Sequence, residues 1–287
     1  MSSAGDITRK QLVNEAKSFY AKKRLGQNFL VDPDALARIS RALELKDGDQ
    51  VLEIGPGLGF LTAFLNDAAS VSAVELDREC VGYLQGRGHQ NLTVYHDDFL
   101  RFDLSRFGKG LKVVGNVPYQ ITTPIICHLF GEIGEPKPWL HNIDTVVLTV
   151  QLEVAQRFVA SPGSKQYSQI SLLTRYFAQP EFLFEVPADS FFPAPKVTSA
   201  VVRFTPLKEP AVTCKSPKLL RSVIRAAFSQ RRKMLKNNLS FLRCQPEELE
   251  RVFAELRFDP QARAERLTLE QFAKLADALE EIRSKAK

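Results

Sequence analysis

Short apolar runs alternate with longer amphipathic stretches over the first two thirds of the chain. Mainly apolar runs, rich in β-branched residues, occupy residues 51–54, 71–74, 92–95, 111–114 and 145–150. Runs of this length and composition are typical of buried parallel strands. Between them, residues 36–43 and 125–130 carry apolar side chains at three- and four-residue spacing, as helices do. The alternation predicts a doubly wound, Rossmann-like α/β sheet.

The pattern changes near Pro206. Residues 197–204 predict a final strand, and residues 205–218 contain three prolines and predict a linker. Helical spacing returns afterwards, over residues 219–228, 246–256 and 269–282. We therefore expect three regions, namely an N-terminal extension, a Rossmann-like domain and a small all-helical domain, at residues 1–21, 22–206 and 207–287.

Composition adds an expected compartment and an expected class of partner. The four cysteines form no CxxC pair and show no metal-ligand spacing, which predicts reduced thiols, no metal site and a cytoplasmic protein. We find neither a signal-peptide pattern nor the run of about 18 apolar residues that a membrane span needs. The formal net charge of +6 favours a polyanionic partner, although charge alone does not identify it.

A glycine-rich loop, EIGPGLG, follows the first predicted strand at residues 53–59 and is expected to lead into a helix. Gly55 and Gly57 permit a tight turn and let a ligand approach the backbone closely. The loop alone is equally compatible with a dinucleotide, a methyl donor or a plain strand-to-helix turn. Its GxGxG spacing differs from the GxGxxG that the pyrophosphate of NAD requires.

Acidic residues follow the next two predicted strands. Glu75 lies about 20 residues past the loop, where a carboxylate can accept hydrogen bonds from both ribose hydroxyls of a nucleoside. After the third strand come Asp97 and Asp98; we assign Asp98 to an adenine amino group, whereas its neighbour closes a turn. This third acid, together with the loop spacing, favours S-adenosylmethionine as the cofactor.

The sequence GNVPY at residues 115–119 follows the fourth predicted strand, at the sheet edge where ligands bind in parallel α/β sheets. An adenine amino group is a poor nucleophile because its lone pair is delocalised into the ring. The Asn116 side-chain oxygen and the Pro118 carbonyl can accept its hydrogens, and the Tyr119 ring can stack on a flipped base. The alternative is an ordinary β-turn, for which Asn-x-Pro is common chemistry.

A second aromatic and proline-rich segment, FFPAPKV, occupies residues 191–197. Phe191 is the candidate for the other face of the flipped base, where an aromatic ring also steadies the positive charge of a transferring methyl group. The alternative is a rigid connection into the last strand.

Two basic stretches, at residues 21–30 and 228–237, are candidates for RNA phosphate contacts. The residues that we assign to this role are Lys22, Lys23, Arg24, Arg231, Arg232 and Lys233. A run of charge is more often a solvated helix face. Two such runs flanking a base-modifying site favour RNA, whose unstacked bases can be drawn into a pocket.

With these motifs assembled, the chain resembles the ribosomal RNA adenine dimethyltransferase family from about residue 22 to about residue 279. The motifs that carry the resemblance, KxxGQNFLxD, EIGPGxG, NLPY (here NVPY), QxEVAxR, FxPxPKV and FxQRRKxLxNxL, match residues 23–32, 53–59, 116–119, 151–157, 191–197 and 228–239. Departures such as Val117 for leucine, and Gln120 and Thr122 after the motif, replace no proposed ligand.

The resemblance implies that S-adenosylmethionine is bound by Asn28, Leu30, Gly55, Gly57, Glu75, Asp98 and Asn116. It implies that the adenine is handled by Asn116, Pro118, Tyr119 and Phe191. Bacterial housekeeping members of the family dimethylate N6 of two adjacent adenines in a hairpin loop near the 3′ end of small-subunit (16S) rRNA, within a pre-ribosomal particle. We accordingly expect a role in ribosome biogenesis and a monomer with no metal and no membrane association.

Four other functions compete with this interpretation. They are a resistance-type methyltransferase acting on large-subunit rRNA, a ribosome-assembly factor that acts by binding, a DNA adenine methyltransferase and a dehydrogenase. The full GQNFL and QRRK motifs favour the housekeeping type, and the intact residues 116–119 favour retained chemistry. No DNA-reading motif is apparent, and the chain offers no second domain suited to hydride transfer.

Overall fold

Five parallel strands form one side of a seven-stranded sheet in the computed structural model, which describes residues 7–19, 21–22, 25–65, 69–88, 91–239 and 245–285. The strands of this sheet, in chain order, are β2 (Gln50–Ile54), β3 (Ser70–Glu75), β4 (Leu92–His96), β5 (Leu111–Asn116), β8 (Ile143–Gln151), β9 (Ala178–Val186) and β11 (Ser199–Pro206). Four shorter strands make two small antiparallel pairs, β1 (Phe29–Leu30) with β10 (Phe191–Phe192) and β6 (Gly131–Glu132) with β7 (Glu135–Pro136).

Ten α-helices lie in the described part of the chain. They are α1 (Arg9–Ser18), α2 (Pro33–Ala42), α3 (Arg78–Gly86), α4 (Thr122–Phe130), α5 (Leu152–Val159), α6 (Gln169–Phe177), α7 (Pro217–Ala227), α8 (Leu235–Leu239), α9 (Pro246–Glu255) and α10 (Leu269–Lys285). None of these described helices is long and apolar enough to cross a membrane.

The strand order of the large sheet is β4-β3-β2-β5-β8-β11-β9. From β2 the chain builds outward through β3 and β4, then returns to add β5 and β8 on the other side. Strands β4, β3, β2, β5 and β8 run parallel. The reversal of strand order beside β2 creates the crevice in which ligands bind in sheets of this kind. The prediction of a doubly wound α/β fold with a helical C-terminal region is confirmed.

Two strands and one helix differ from the sequence prediction. Strand β11 begins at Ser199 and runs antiparallel to β8. Strand β9, at the sheet edge, was missed because its one apolar run, residues 182–184, is only three residues long and its other positions are mostly polar or proline. The helix expected after the glycine-rich loop is a short 3₁₀ helix, Thr62–Phe64, of three residues.

Helix α1 gives structure to part of the N-terminal extension, for which the sequence suggested no role. Thr8 caps the helix in a capping box with Gln11. Leu12 and Ala16 are buried in the same hydrophobic cluster as Leu58 of the glycine-rich loop. The extension therefore contributes to the core that supports the sheet.

The chain forms two compact units. The first contains residues 1–129, 138–155 and 180–206, and the second contains residues 130–137, 156–179 and 207–287. In the second unit the Phe228 ring contacts the rings of Tyr167 and Phe272, with centroids 6.2 Å and 6.0 Å apart. This aromatic cluster forms a core among the helices. The domain boundaries drawn from the sequence remain a prediction.

Candidate active site

The carboxyl ends of the parallel strands in the first unit surround a cavity of about 280 Å³. Such a volume is close to the ~300 Å³ at the lower end of cavities that hold drug-sized ligands. Nine of the residues assigned from the sequence to the cofactor or the adenine line it, namely Asn28, Leu30, Gly55, Gly57, Glu75, Asp98, Asn116, Pro118 and Tyr119. Most of the predicted site is thus brought together at one sheet edge, as parallel strands require.

The glycine loop forms one wall of the cavity. Gly55 and Gly57 have φ angles of +60° and +58°, a region that side chains other than hydrogen make costly. A Cβ on Gly57 would lie 2.9 Å from the Phe29 ring, so the loop and this ring can approach only because the side chain is absent. A Cβ on Gly55 would meet no atom within 4 Å, which leaves the backbone there open to a ligand.

Glu75, at the end of β3, is held by backbone donors. Its Oε2 accepts from the Gly57 N–H at 3.0 Å, and its Oε1 accepts from the Asp77 N–H at 2.7 Å. Burial raises the pKa of Glu75, and these backbone hydrogen bonds oppose the rise. The carboxyl group is fixed in orientation while each oxygen keeps further accepting capacity for a ligand.

Glu53, one residue before the end of β2, also lines the cavity although the sequence analysis gave it no role. It is 1% exposed, and its Oε2 accepts from the Thr62 hydroxyl at 2.6 Å. Burial raises the pKa of Glu53 to about 7, with a smaller contribution from the nearby charge of Glu75. The group can therefore exchange a proton near neutral pH.

Both acids after β4 close turns, where the sequence expected only one to do so. Asp97 Oδ1 accepts from the Asp98 N–H at 2.7 Å, and Asp98 Oδ1 accepts from the Leu100 N–H at 3.0 Å. The second oxygen of Asp98 lies 4.0 Å from the Arg101 guanidinium. Both acids line the cavity, and their positions do not distinguish one from the other as a ligand. The assignment of Asp98 to an adenine amino group therefore stays a prediction.

The Asn116–Tyr119 motif begins at the end of β5, the direct neighbour of β2, and lines the cavity beside the glycine loop. Asn116 Nδ2 donates to the backbone carbonyl of Asn28 at 2.9 Å. The Pro118 carbonyl already accepts from the Ile121 N–H at 3.1 Å and retains a second lone pair. The Tyr119 hydroxyl lies 2.6 Å from the Ser199 hydroxyl, which holds the phenol ring from its far end.

Phe191 occupies a different environment from the one that the sequence suggested. It lies in β10, opposite Leu30 of β1, and is 3% exposed within the hydrophobic core. It is absent from the residues that line the cavity. Its proposed contact with a flipped base stays a prediction.

The family model of the ribosomal RNA adenine dimethylases matches residues 18–281 of this chain. The chain belongs to this family. The ribosomal RNA small subunit methyltransferase A of Lachnoclostridium phytofermentans is 40% identical to it over 294 residues, which cover 98% of this chain and 99% of the relative. Family membership confirms the predicted class of enzyme, an S-adenosylmethionine-dependent rRNA adenine dimethyltransferase, and excludes the dehydrogenase and DNA methyltransferase alternatives.

Solved structures agree with this assignment. A dimethyladenosine transferase from Plasmodium falciparum superposes with a TM-score of 0.73 at 26% identity, covering 90% of this chain and 98% of that one. The 23S rRNA methyltransferase ErmE superposes with a TM-score of 0.68 at 28% identity, covering 88% of this chain and 100% of that one. The fold is thus shared with a dimethyladenosine transferase and with a 23S rRNA methyltransferase.

The basic residues predicted to bind RNA fall into three groups in this dimethylase. Arg231, Arg232 and Lys233 are exposed between α7 and α8, and Arg231 donates to the Lys165 carbonyl within the same unit. Lys22 is held in ion pairs with Asp77 and Glu79, at 2.6 Å and 3.1 Å. Lys23 and Arg24 lie outside the described residues.

Sequence reasoning missed further residues of the dimethylase cavity. Leu76 lines it with 53% of its side chain exposed, next to Glu75. An apolar residue directly after an acid at a strand end was the available signal, because such a side chain offers a flat apolar contact to a ligand. Among the described residues no group of three or more His, Cys, Asp or Glu side chains could hold a metal ion.

Proposed function

We propose that this dimethylase transfers methyl groups from S-adenosylmethionine to N6 of two adjacent adenines in a hairpin loop near the 3′ end of small-subunit (16S) rRNA. The observation that carries the proposal is the position of Asn116, whose amide faces a cavity that also contains Gly55, Gly57 and Glu75. An acceptor for an amino group and a nucleoside-binding edge therefore adjoin each other. The target RNA is that named for the relative from L. phytofermentans, at 40% identity over nearly the whole of both chains.

The residues that line the cavity suit the chemistry of S-adenosylmethionine. The open backbone at Gly55 admits a ligand, Glu75 keeps accepting capacity for ribose hydroxyls, and the exposed Leu76 offers an apolar face to a base. Asp98 supplies a carboxylate oxygen for the adenine amino group, while Asn28, Leu30 and Gly57 border the ligand. When bound, the cofactor supplies an electrophilic methyl group on its sulfonium.

The residues of the Asn116–Tyr119 motif prepare the target nitrogen. Asn116 Oδ1 and the second lone pair of the Pro118 carbonyl accept the two hydrogens of the adenine amino group, which favours a pyramidal nitrogen with an available lone pair. Tyr119, anchored at its hydroxyl by Ser199, offers its ring for stacking on the base. The remaining contribution is the alignment of the nitrogen with the methyl group. In well-oriented pairs, alignment lowers the activation barrier by on the order of 7 kcal/mol.

The RNA contacts are assigned to exposed basic residues. Arg231, Arg232 and Lys233 present cationic side chains to solvent in the second unit and suit the phosphates of a folded RNA. Because Lys22 is already paired with Asp77 and Glu79, its contribution to RNA binding is smaller than theirs.

We also propose that the enzyme works as a cytoplasmic monomer on a pre-ribosomal particle. Among the described residues, the large apolar side chains that are exposed are Leu76, in the cavity, and Val197. Such isolated residues leave no broad apolar patch of the kind that stable subunit interfaces use.

The test is transfer of tritiated methyl groups from S-adenosylmethionine to undermethylated small subunits, to large subunits and to duplex DNA, followed by nucleoside analysis. We expect label as N6,N6-dimethyladenosine in the small subunit only, and at least ~100-fold less label with Asn116→Ala. Label on the large subunit would assign the enzyme to the resistance type. Tight binding to small subunits without any label would instead favour an assembly factor.

A further inference from the structure

Asp77, two residues after Glu75, is the centre of a hydrogen-bond cluster beside the cavity. It is 3% exposed, its Oδ1 accepts from Lys22 Nζ at 2.6 Å, and its Oδ2 accepts from Gln27 Nε2 at 2.9 Å. Burial alone would raise the pKa of Asp77, but the hydrogen bonds from Lys22 and Gln27 lower it below its usual range. The group is therefore a carboxylate at neutral pH.

The cluster leads to the GQNFL segment, residues 26–30, which borders the cavity. The Gln27 side chain is used at both ends, since its Oε1 accepts from the Lys22 N–H at 2.7 Å while its Nε2 faces Asp77. This arrangement fixes the orientation of the Gln27 amide. The segment is thereby tied to the carboxyl end of β3.

The residue after Gln27 makes the contact with the catalytic motif. The backbone carbonyl of Asn28 accepts from Asn116 Nδ2 at 2.9 Å. Because the two polar atoms of an amide point in different directions, this contact directs Asn116 Oδ1 away from Asn28. The last torsion of an asparagine side chain is broad and nearly two-fold, so without the carbonyl the amide could turn and present its nitrogen instead.

We infer that Asp77 is a positioning residue for methyl transfer. By holding Gln27 and Lys22 it keeps the Asn28 carbonyl on the Asn116 amide nitrogen, and so keeps Asn116 Oδ1 available to the adenine amino group. The inference rests on the proposed function, in which Asn116 is an acceptor.

A simpler role for Asp77 has to be separated from this one. Its Oδ1 also accepts from the Glu79 N–H at 3.1 Å, so Asp77 is the N-cap of α3. Asparagine caps helices as well as aspartate does. The substitution Asp77→Asn therefore preserves the cap and changes only the contacts with Lys22 and Gln27. In the variant, the new side-chain NH₂ at position 77 faces the NH₂ of Gln27, so that two donors meet and the hydrogen bond is lost.

The experiment compares Asp77→Asn with the wild type in single-turnover methyl transfer at saturating donor. We expect the transfer rate to fall about tenfold or more, as expected for a misplaced reacting group. The Kd for S-adenosylhomocysteine, measured by calorimetry, should change less than threefold, because Glu75 accepts from the backbone of Asp77 rather than from its side chain. Hydrogen exchange of the amides of residues 26–30 should become faster.

Two further variants decide the interpretation. Asp103→Asn is the matched control. Asp103 is an exposed N-cap that accepts from the Ser105 N–H at 2.9 Å, and it does not line the cavity. This variant should transfer methyl groups at the wild-type rate. The double variant Asp77→Asn with Gln27→Glu exchanges donor and acceptor and leaves the negative charge beside Lys22. It should recover the transfer rate to within about threefold of the wild type.

An unchanged transfer rate and unchanged exchange in Asp77→Asn would overturn the inference, and so would a double variant no better than the single one. If the wild type transfers no methyl group to any RNA, the proposed function fails. In that case the exchange rates of residues 26–30 still decide whether Asp77 anchors the segment.

Discussion

The buried carboxyl group of Glu53 predicts a specific dependence of stability on pH. The folded chain holds the Glu53 proton up to about pH 7, whereas an unperturbed glutamate with a pKa of 4.5 releases it much earlier. Between these values the folded state binds more protons than the unfolded state, so stability falls as the pH rises. The stabilising contribution is complete below pH 4.5 and lost above pH 7.

The size of the effect follows from the same two values. The difference between about 7 and 4.5, at ~1.4 kcal/mol per pH unit, gives about 3 kcal/mol of unfolding free energy. Glu53→Gln removes the titration but keeps a side chain of the same shape that can still pair with the Thr62 hydroxyl. Relative to the wild type, the variant should therefore gain about 3 kcal/mol between pH 4.5 and pH 8.

Urea unfolding at pH 4.5, 6 and 8 measures this difference, with the fluorescence of Trp139 as the signal. Trp139 is the one tryptophan of the sequence and belongs to the same unit as Glu53, so the signal reports the unfolding of that unit. Glu209→Gln, at an exposed glutamate, serves as the control and should follow the wild type. Equal pH dependence in the wild type and Glu53→Gln would show that the pKa of Glu53 is the same in the folded and unfolded chain, and would refute the argument.

Three other predictions concern the site. Asn116→Ala should lower methyl transfer at least ~100-fold. The variant should still fold, with the same Trp139 fluorescence as the folded wild type. Failure to recover any folded variant would indicate a structural role for Asn116 instead. Glu75→Gln should weaken S-adenosylhomocysteine binding in calorimetry about tenfold, because a charge-assisted acceptor is lost, and an unchanged Kd would remove Glu75 from the ribose contact. Replacing Arg231, Arg232 and Lys233 together by glutamine should weaken RNA binding and reduce the slope of log K against log salt by about 2 for single-stranded contacts. An unchanged slope would show that these side chains meet no phosphate.

The part of the site that lies at strand ends was predictable from the sequence. Glu75, Asp98 and Asn116 each follow a short apolar run, and the carboxyl ends of parallel strands meet at one edge. Spacing along the chain is sufficient there, because the sheet itself brings the residues together.

Features that depend on packing between distant segments were not predictable in the same way. The contact between Gln27 and Asp77 joins residues 50 positions apart, and no periodicity specifies it. The burial of Phe191 follows from the pairing of β10 with β1, two strands of two residues each, too short to give a pattern. The raised pKa of Glu53 likewise depends on its burial, which no local pattern of residues specifies.

Glu75 and Asp77 show why neighbouring acids on one strand end take different roles. Burial raises the pKa of Glu75, and the uncharged backbone donors that oppose this rise do not cancel it. Asp77 experiences the same kind of burial, but Lys22 and Gln27 donate to it and its pKa is lowered. The charge of Asp77 is thus already compensated within the protein, and its hydrogen-bonding capacity is used to hold the chain. Within the described part of the chain, the donors to Glu75 are backbone N–H groups and no cation pairs with it, so a ligand that brings hydroxyl donors improves its environment. A carboxylate with an internal cation is suited to positioning, and one without it is suited to binding.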